Sequence, residues 1–319
     1  MDKTLQKYIR IFGKLRIDRA HGSAPHKPLL LISILQLVQN HIITNPKIYI
    51  TPELVALFRE NWSTLVTTKN DCNFALPFYH LKGDFWILVP KPGFENILMH
   101  STGMRSFSSL NAAIDFAVIS DDLFGLMNEI NTNLALINTL LDIYFPETKS
   151  RFKNPEYENQ YSLDFFEKKI FNENPEEYKN QIKNLLQEKN DEEIFIRGSV
   201  FKREIPKIYN NTCCISGMRI DSIINVSMID ACHIIPFSES YDDTVTNGIA
   251  LCPNLHRAFD RGLISVNENY KVIVSSSFRE NQSNYSIIKL EGKSILLPKS
   301  TAYFPSLENF RWHRTNRFK

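Results

Sequence analysis

The sequence lacks a long hydrophobic run and a paired set of cysteines. Its longest apolar stretch extends from Leu29 to Leu35 with Ser33 inside it, much shorter than the roughly 20 residues that a membrane-spanning helix requires. No apolar core followed by small residues marks the N-terminus as a secretory signal. The five cysteines include an adjacent pair, Cys213 and Cys214, which argues against a disulfide framework. We therefore expect a cytoplasmic protein with reduced thiols and no membrane partner.

The chain also has little net charge, only +2 over 319 residues, which alone does not indicate a nucleic-acid partner. The distribution is more informative. Residues 1–27 carry seven basic and two acidic side chains, and residues 299–319 carry five and one, whereas residues 151–195 carry seven and eleven. Basic ends around an acidic middle are expected if both ends approach phosphates. Short charged stretches can equally be solvated faces, so the charge pattern leaves both interpretations open.

The length and the 43% apolar content predict at least one substantial core and favour two domains. Residues 1–146 have the pattern of a mixed α/β or α+β domain. Residues 147–195 are rich in Asn, Glu and Lys and are predicted to be a polar acidic linker that contains a helix. Residues 196–319 form the second predicted domain. The overall fold class is therefore expected to be α+β.

Local patterns predict the elements of the first domain. Pro28 suits the first turn of a buried helix through the apolar run, and Thr51 precedes a Pro-Glu pair that opens a second helix. The aromatic and aliphatic runs at 74–81 and 85–89 flank a Lys-Gly-Asp turn and predict a hairpin. Residues 107–145 have a helical pattern.

Four polar residues near the C-terminus have an informative spacing. Asn247 follows His233 by 14 positions, His256 lies 9 positions further, and Asp260 lies 4 beyond that. A single histidine is more often structural than catalytic, but the joint spacing of four such residues is harder to attribute to chance. This segment is therefore the leading candidate for a functional site.

The residues around this constellation predict two strands and a helix. Residues 223–234 are rich in β-branched and apolar types, and residues 249–251 form a short second apolar run. Pro253 is placed to open a helix. His256 and Asp260, four positions apart, would then share one helix face. The expected arrangement is ββα.

In this order the residues resemble the site of HNH endonucleases, in particular the predicted restriction enzymes of that family. The resemblance covers residues 196–319 and includes Phe201, Arg203, Cys214-Ile215-Ser216-Gly217, Leu297-Pro298 and Trp312-His313-Arg314. An HNH site holds one divalent metal against a phosphodiester and uses one histidine to activate water. The resemblance implies a C-terminal HNH ββα-metal nuclease domain in this chain.

The resemblance assigns roles to individual residues. His233 is expected to be the general base, Asn247 to orient it, and His256 to be the leading metal ligand. Asp230 and Asp260 are candidate carboxylate ligands, which suit Mg²⁺ or Mn²⁺. A regular strand would place Asp230 and His233 on opposite faces, so a bulge or twist between them is expected if both reach one cleft.

The chain departs from the family at two points. Many HNH proteins bind a structural zinc through two Cys-x-x-Cys pairs, but here Cys214 is followed by Gly217 and Cys252 by Leu255, so no structural zinc is expected. Directly before the base, where the family often has a metal ligand, stands Cys232. An HNH fold that has lost catalysis is the alternative interpretation of this segment.

Two segments of the first domain resemble the sulfur-binding domains of phosphorothioate-dependent HNH restriction enzymes. They extend from His21 to Leu31 and from Leu76 to Leu81, the latter followed by Trp86. The resemblance implies an apolar pocket for the sulfur beside basic groups for phosphate, because sulfur is weakly hydrated compared with a phosphate oxygen. The correspondence is partial at Leu76, where the family often has an aromatic residue, and at His80, where a small residue would leave more room.

These patterns predict a DNA restriction endonuclease, active on phosphorothioated DNA. Sequence-specific cleavage of unmodified or methylated DNA and an inactive module that binds modified DNA are the alternatives. Double-stranded DNA is the expected partner, and one site per chain implies a homodimer for double-strand cleavage. The candidate DNA contacts are Arg16, Arg19, His26, Lys27, Pro77, Tyr79, His80, Arg257, Arg261 and Arg314.

Overall fold

The computed structural model describes residues 3–17, 25–81, 83–97, 104–152, 162–220 and 227–319. The chain divides into two compact units, residues 1–165 and 166–319. The division falls inside the stretch 147–195 that the sequence predicts as a linker. Helices with small antiparallel sheets make the protein α+β, which confirms the predicted fold class. Within the described ranges, no helix is both long and apolar enough to cross a membrane.

The first unit combines helices with one sheet. Its elements are α1 (Lys3–Phe12), α2 (His26–Gln39), β1 (Lys47–Tyr49), α3 (Pro52–Leu65), α4 (Ala75–His80), β2 (Trp86–Pro90), α5 (Phe107–Ala113), β3 (Ile114–Ile119), α6 (Asp121–Asn128) and α7 (Ile130–Tyr144). A 3₁₀ turn follows at Lys149–Arg151. Strand β3 pairs antiparallel with β1 on one side and with β2 on the other.

Helix α2 is the centre of this unit, as its apolar sequence predicts. All residues from Leu29 to Leu35 have no exposed surface. The buried Ser33 hydroxyl donates to Leu29 O at 2.9 Å and accepts from Asn61 Nδ2 at 2.9 Å, so the polar group in the core is satisfied. Helix α3 begins as predicted, because the Thr51 side chain accepts from the Leu54 N–H at 3.3 Å.

Two predictions for the first unit are wrong. Residues 74–81 are not a hairpin strand but contain α4, and the rings of Phe74, its N-cap residue, and Phe78 lie one turn apart with centroids at 5.5 Å. Phe78 also contacts Trp86 of β2 edge-on, so the aromatic residues follow a helical period and not a strand period. The helical pattern over 107–145 is interrupted by β3, whose pairing with strands on both sides overrides local propensity.

The second unit begins with three helices. Its elements are α8 (Leu163–Asn172), α9 (Pro175–Gln187), α10 (Asp191–Ile208), β4 (Asp230–His233), α11 (Phe237–Ser240), β5 (Gly248–Leu251), α12 (Pro253–Asp260), β6 (Ile264–Val266), β7 (Val272–Val274) and α13 (Leu307–Asn316). Short 3₁₀ turns lie at Val245–Asn247, Ile287–Leu290 and Thr301–Tyr303. Strand β4 pairs antiparallel with β5, and β6 with β7.

Helix α10 packs closely on the β4–β5 pair. Phe201 and Ile205 of this helix are fully buried. Gly248 of β5 lies opposite His233 in the strand register, and a Cβ added at Gly248 would lie 2.4 Å from Ile205 Cδ1 and 2.9 Å from Phe201 Cε2. The helix therefore approaches the strand at a distance that only glycine permits without a shift of these side chains.

Helix α13 is fixed to the second unit by a buried histidine. His313 is 1% exposed, and its ring stacks on Phe259 with centroids 3.8 Å apart. Its Nε2–H donates to Phe259 O at 3.1 Å, so Nδ1 accepts from the Ser265 hydroxyl at 2.9 Å. Burial lowers the pKa of His313 from 6.5 to about 4. The imidazole is therefore neutral in the folded protein at pH 7.

Acid is expected to destabilise the second unit through His313. Between its usual pKa of 6.5 and its folded pKa of about 4, only the unfolded state binds the proton, so the free energy of unfolding falls as the pH falls. The loss should reach about 2 kcal/mol at pH 5 relative to pH 7. Urea unfolding at both pH values measures it in the wild type and in His313→Gln. Equal pH dependence in the two proteins would show that His313 is not responsible.

Candidate active site

The ring of His233 is held on one face and at one edge. His233 is the last residue of β4, and its ring stacks on Phe201 of α10 with centroids 3.9 Å apart and an interplanar angle of 9°. Its Nε2–H donates to Asp243 Oδ1 at 2.8 Å. The side chain of His233 is 21% exposed, whereas that of Asp243 is 2% exposed. A partly accessible imidazole is thus fixed by a buried carboxylate.

Asn247 holds the backbone after His233. Its Oδ1 accepts from Ile235 N at 3.0 Å, and its Nδ2 donates to Ile235 O at 3.0 Å and to Asp242 O at 2.9 Å. The hydrogen-bond partner of the His233 ring is instead Asp243, which sequence analysis missed. The available signal was the pair of adjacent acidic residues between the motif histidine and asparagine.

His256 lies between two carboxylates. Its Nδ1–H donates to Asp230 Oδ2 at 3.1 Å, and its Nε2 lies 3.5 Å from Asp260 Oδ2 one helical turn further on. Potential ligand atoms of Cys232, His256 and Asp260 all lie within 4.8 Å of one another. This arrangement brings together the i, i+4 pair that the sequence predicts and adds Cys232.

Strand β4 is regular, so the expected bulge is not found. Asp230 to His233 pair residue by residue with Leu251 to Gly248. Asp230 and Cys232 are two positions apart and share the strand face towards α12, whereas His233 is on the other face, towards α10. Asp230 therefore contacts Nδ1 of His256. It was predicted to be a metal ligand, but it does not belong to the group of Cys232, His256 and Asp260.

The donor set of Cys232, His256 and Asp260 fits a divalent cation. Asp230 accepts the Nδ1 proton of His256, which leaves Nε2 as the nitrogen able to bind a metal, the usual arrangement of a carboxylate behind a histidine ligand. Burial, reinforced by the negative charge of Asp260, raises the pKa of the Cys232 thiol well above its usual value. Because a metal binds the thiolate, ligation at Cys232 would release a proton.

Five of the predicted DNA-contact residues line one pocket of about 420 Å³ in the first unit. They are Arg16, His26, Lys27, Pro77 and His80. Leu76 adds an apolar side chain to the same wall. The pocket therefore combines apolar surface with the cationic groups of Arg16 and Lys27.

Two of the predicted contacts in the first unit have different environments from those expected. His26 Nε2–H donates to Asp71 O at 2.9 Å, and burial lowers the pKa of His26, so at neutral pH this ring adds no positive charge to the pocket. Tyr79 is 5% exposed and does not appear among the residues that line the pocket, which favours a core role. Arg19 lies outside the described residues.

The basic residues of the second unit also separate into two groups. Arg257 and Arg261 are exposed on α12 and at its C-terminus, on either side of Asp260 in the sequence. Arg314 is half-buried, and its Nη1 donates to Val266 O at 2.6 Å. Arg314 therefore links α13 to β6, and its predicted DNA contact stays a prediction.

The cysteine that interacts with Cys252 is Cys213. Sequence analysis considered Cys214 instead. Ser216 N–H donates to Cys213 Sγ at 3.5 Å, and Ser216 Oγ lies 4.0 Å from Cys252 Sγ. A hydrogen bond from the Cys252 thiol lowers the pKa of the Cys213 thiol. At the positions that would correspond to one Cys-x-x-Cys pair, this chain thus has Cys213 and Ser216.

Comparison with known proteins identifies part of the second unit. Residues 213–267 match the HNH endonuclease family and constitute a C-terminal HNH domain. No curated protein matches the chain. A solved structure, a modification-dependent TagI restriction endonuclease, is similar with 19% sequence identity and a TM-score of 0.29. That similarity covers 36% of this chain and 36% of the other, so only about a third of either chain is involved.

Proposed function

We propose that this protein is a metal-dependent restriction endonuclease that hydrolyses phosphodiester bonds in double-stranded DNA. The observation that carries the proposal is that consecutive residues at the end of β4 belong to two different groups, one on the α10 side of the strand and one on the α12 side. His233 is a fixed, partly exposed imidazole, and the neighbouring residue Cys232 belongs to a cluster of three potential metal ligands. Both groups lie in the segment that matches the HNH endonucleases.

The residues divide the chemistry between them. His233 takes a proton from the attacking water, and Asn247 keeps the backbone beyond β4 in place for it. Cys232, His256 and Asp260 would hold the cation, with Asp230 orienting the ring of His256. When bound, the cation would stabilise the negative charge that develops on the phosphate and on the leaving oxygen.

The ligand set also bears on the choice of metal. Mg²⁺ prefers an octahedral set of oxygen donors, but the cluster offers one sulfur, one nitrogen and one oxygen donor. Thiolate and imidazole donors favour softer divalent ions of the first transition row. Of the two ions expected from the sequence, Mn²⁺ therefore fits this site better than Mg²⁺.

We propose that the pocket of the first unit reads the DNA, with phosphorothioate as the preferred mark. Leu76 and Pro77 supply apolar wall, on which a weakly hydrated sulfur loses less solvation than an oxygen would. Arg16 and Lys27 supply positive charge for the same backbone group. Since the described residues of each chain contain one candidate site, cleavage of both strands would need two copies of the chain.

A cleavage assay with matched plasmids tests this function. Phosphorothioated, methylated and unmodified forms of one plasmid are incubated with the protein and Mg²⁺ or Mn²⁺, with a chelator as the control. We expect cleavage of the phosphorothioated form, faster with Mn²⁺. Equal cleavage of all three forms would exclude dependence on the modification, and no cleavage under either metal would indicate a protein that only binds DNA.

Removing the charge of Lys27 is expected to weaken binding of the phosphorothioated plasmid. Each phosphate contact contributes about one unit to the slope of log K against log salt, so Lys27→Gln should make that slope shallower by about 1. Filter binding over a salt series measures the slope. Lys3→Gln, an exposed residue of α1 that does not line the pocket, is the matched control. Identical slopes for the two variants would contradict a phosphate contact at Lys27.

A further inference from the structure

The carboxylate beside His233 is deeply buried. Asp243 has a 2% exposed side chain, and its Oδ1 accepts the hydrogen bond from His233 Nε2 at 2.8 Å. Its second oxygen, Oδ2, is buried without a hydrogen-bond partner among the described residues. A buried carboxylate carries a desolvation cost that an incidental surface contact would not. The burial of Asp243 therefore indicates that its charge acts on the imidazole of His233.

Asp243 Oδ2 faces helix α10. A Cβ built on Gly198 would lie 4.0 Å from this oxygen, an ordinary van der Waals distance, so the carboxylate lies against α10 at Gly198. The preceding residue, Arg197, is buried, and its guanidinium lies 5.0 Å from the ring of Tyr178 on α9. After desolvation, the charge of Asp243 is the next largest influence that raises the pKa of Tyr178. The carboxylate, the phenol and the guanidinium therefore share one buried polar region behind His233.

Arg197 provides positive charge in this region. Its Nε and Nη2 donate to Glu193 Oε1 at 3.1 and 2.8 Å. Its Nη1 and the Tyr178 hydroxyl are, like Asp243 Oδ2, deeply buried. Helices α9 and α10 thus supply polar groups that make a buried charge at Asp243 less costly.

We infer that Asp243 is a positioning residue that holds His233 as the tautomer protonated at Nε2. A carboxylate accepts hydrogen bonds only, so Nε2 must carry the proton. In a neutral imidazole the other nitrogen, Nδ1, is then the acceptor. Stacking on Phe201 fixes the plane of the ring. The inference rests on the proposed nuclease function, in which the proton of the attacking water moves to Nδ1 and Asp243 faces the resulting imidazolium.

The tautomer can be measured directly, without DNA or metal. In the metal-free protein at pH 8, long-range ¹H–¹⁵N correlation spectra should give the Nε2 of His233 the shift of a protonated nitrogen and Nδ1 that of an unprotonated one. In Asp243→Asn the side-chain amide can donate to the ring, and the tautomers should become mixed. If the wild-type protein carries its proton on Nδ1, the inference is wrong, whatever any variant does.

Kinetics provide the second readout. Asp243→Asn should lower kcat by about 10²–10⁴-fold, the range associated with a misplaced general base, and leave KM and DNA affinity unchanged. Asp242→Asn is the matched control, because Asp242 is equally buried and accepts from Thr244 N at 2.8 Å instead of contacting His233. It should retain kcat within a few-fold.

The outcomes separate the two proposals. Wild-type kcat in Asp243→Asn, or equal losses in both variants, would overturn the positioning role. A wild-type protein that cleaves no DNA with any metal would remove the nuclease function, but the tautomer measurement would still decide whether Asp243 orients the ring. Urea unfolding of both variants identifies a loss of kcat that comes from unfolding.

Discussion

His233→Ala is expected to cleave DNA about 10²–10⁴ times more slowly than the wild type, the usual contribution of a general base. The substitution removes the only proposed proton acceptor and leaves the ligand atoms of Cys232, His256 and Asp260 in place. Nicking of a supercoiled plasmid under single-turnover conditions measures the rate. The expected signature is a loss of kcat with unchanged KM.

Metal binding and folding are the internal controls for this prediction. His233→Ala should bind Mn²⁺ with wild-type affinity, since His233 faces away from Cys232 across β4. It also leaves a gap against Phe201, so the free energy of unfolding must be measured in parallel. A folded variant that keeps more than a tenth of the wild-type rate would show that another group activates the water.

The second large effect concerns the proposed metal ligands, and a graded series tests it. His256→Ala should weaken Mn²⁺ binding by more than about 100-fold, because it removes a direct ligand, whereas Asp230→Asn should weaken it by about 10–100-fold, the range for a group that only orients a ligand. Isothermal titration calorimetry gives both affinities. Cys232→Ser should bind Co²⁺ without the thiolate charge-transfer absorption that the wild type is expected to show.

The comparison of Asp230→Asn with Asp260→Asn is the sharpest part of this series. The two carboxylates contact opposite nitrogens of the same imidazole, so each substitution removes one charge at a similar distance from His256. If Asp230→Asn costs as much affinity as Asp260→Asn, Asp230 is a ligand, as the sequence led us to expect. An absorption spectrum unchanged in Cys232→Ser would exclude sulfur from the site.

The local features of the site could be predicted from sequence because each has a short-range cause. Pro253 opens α12, and the four-residue spacing places His256 and Asp260 together. The partner of His233 could not be predicted in this way. Asp243 reaches the ring only because the turn after β4 folds back. The spacing between Asp243 and His233 in the sequence does not predict that contact.

The errors in the first unit have a related origin. A run such as residues 74–81 suits a strand by composition, but Phe74 and Phe78 pack as helical neighbours against Phe58 and Trp86. Conversely, β3 continues directly from α5, and its strand character comes from pairing with distant segments. Composition describes what a segment tolerates, and tertiary partners decide among the options.

Because α10 packs closely on the β4–β5 pair, the catalytic motif cannot be moved into another protein without this helix. The part that matches the HNH family begins at residue 213, but Phe201, the stacking partner of His233, and Ile205, which fills the space above Gly248, lie before it. A fragment cut at residue 213 would retain every proposed catalytic side chain and lose the surface against which the base is held. The smallest transplantable nuclease therefore includes helix α10.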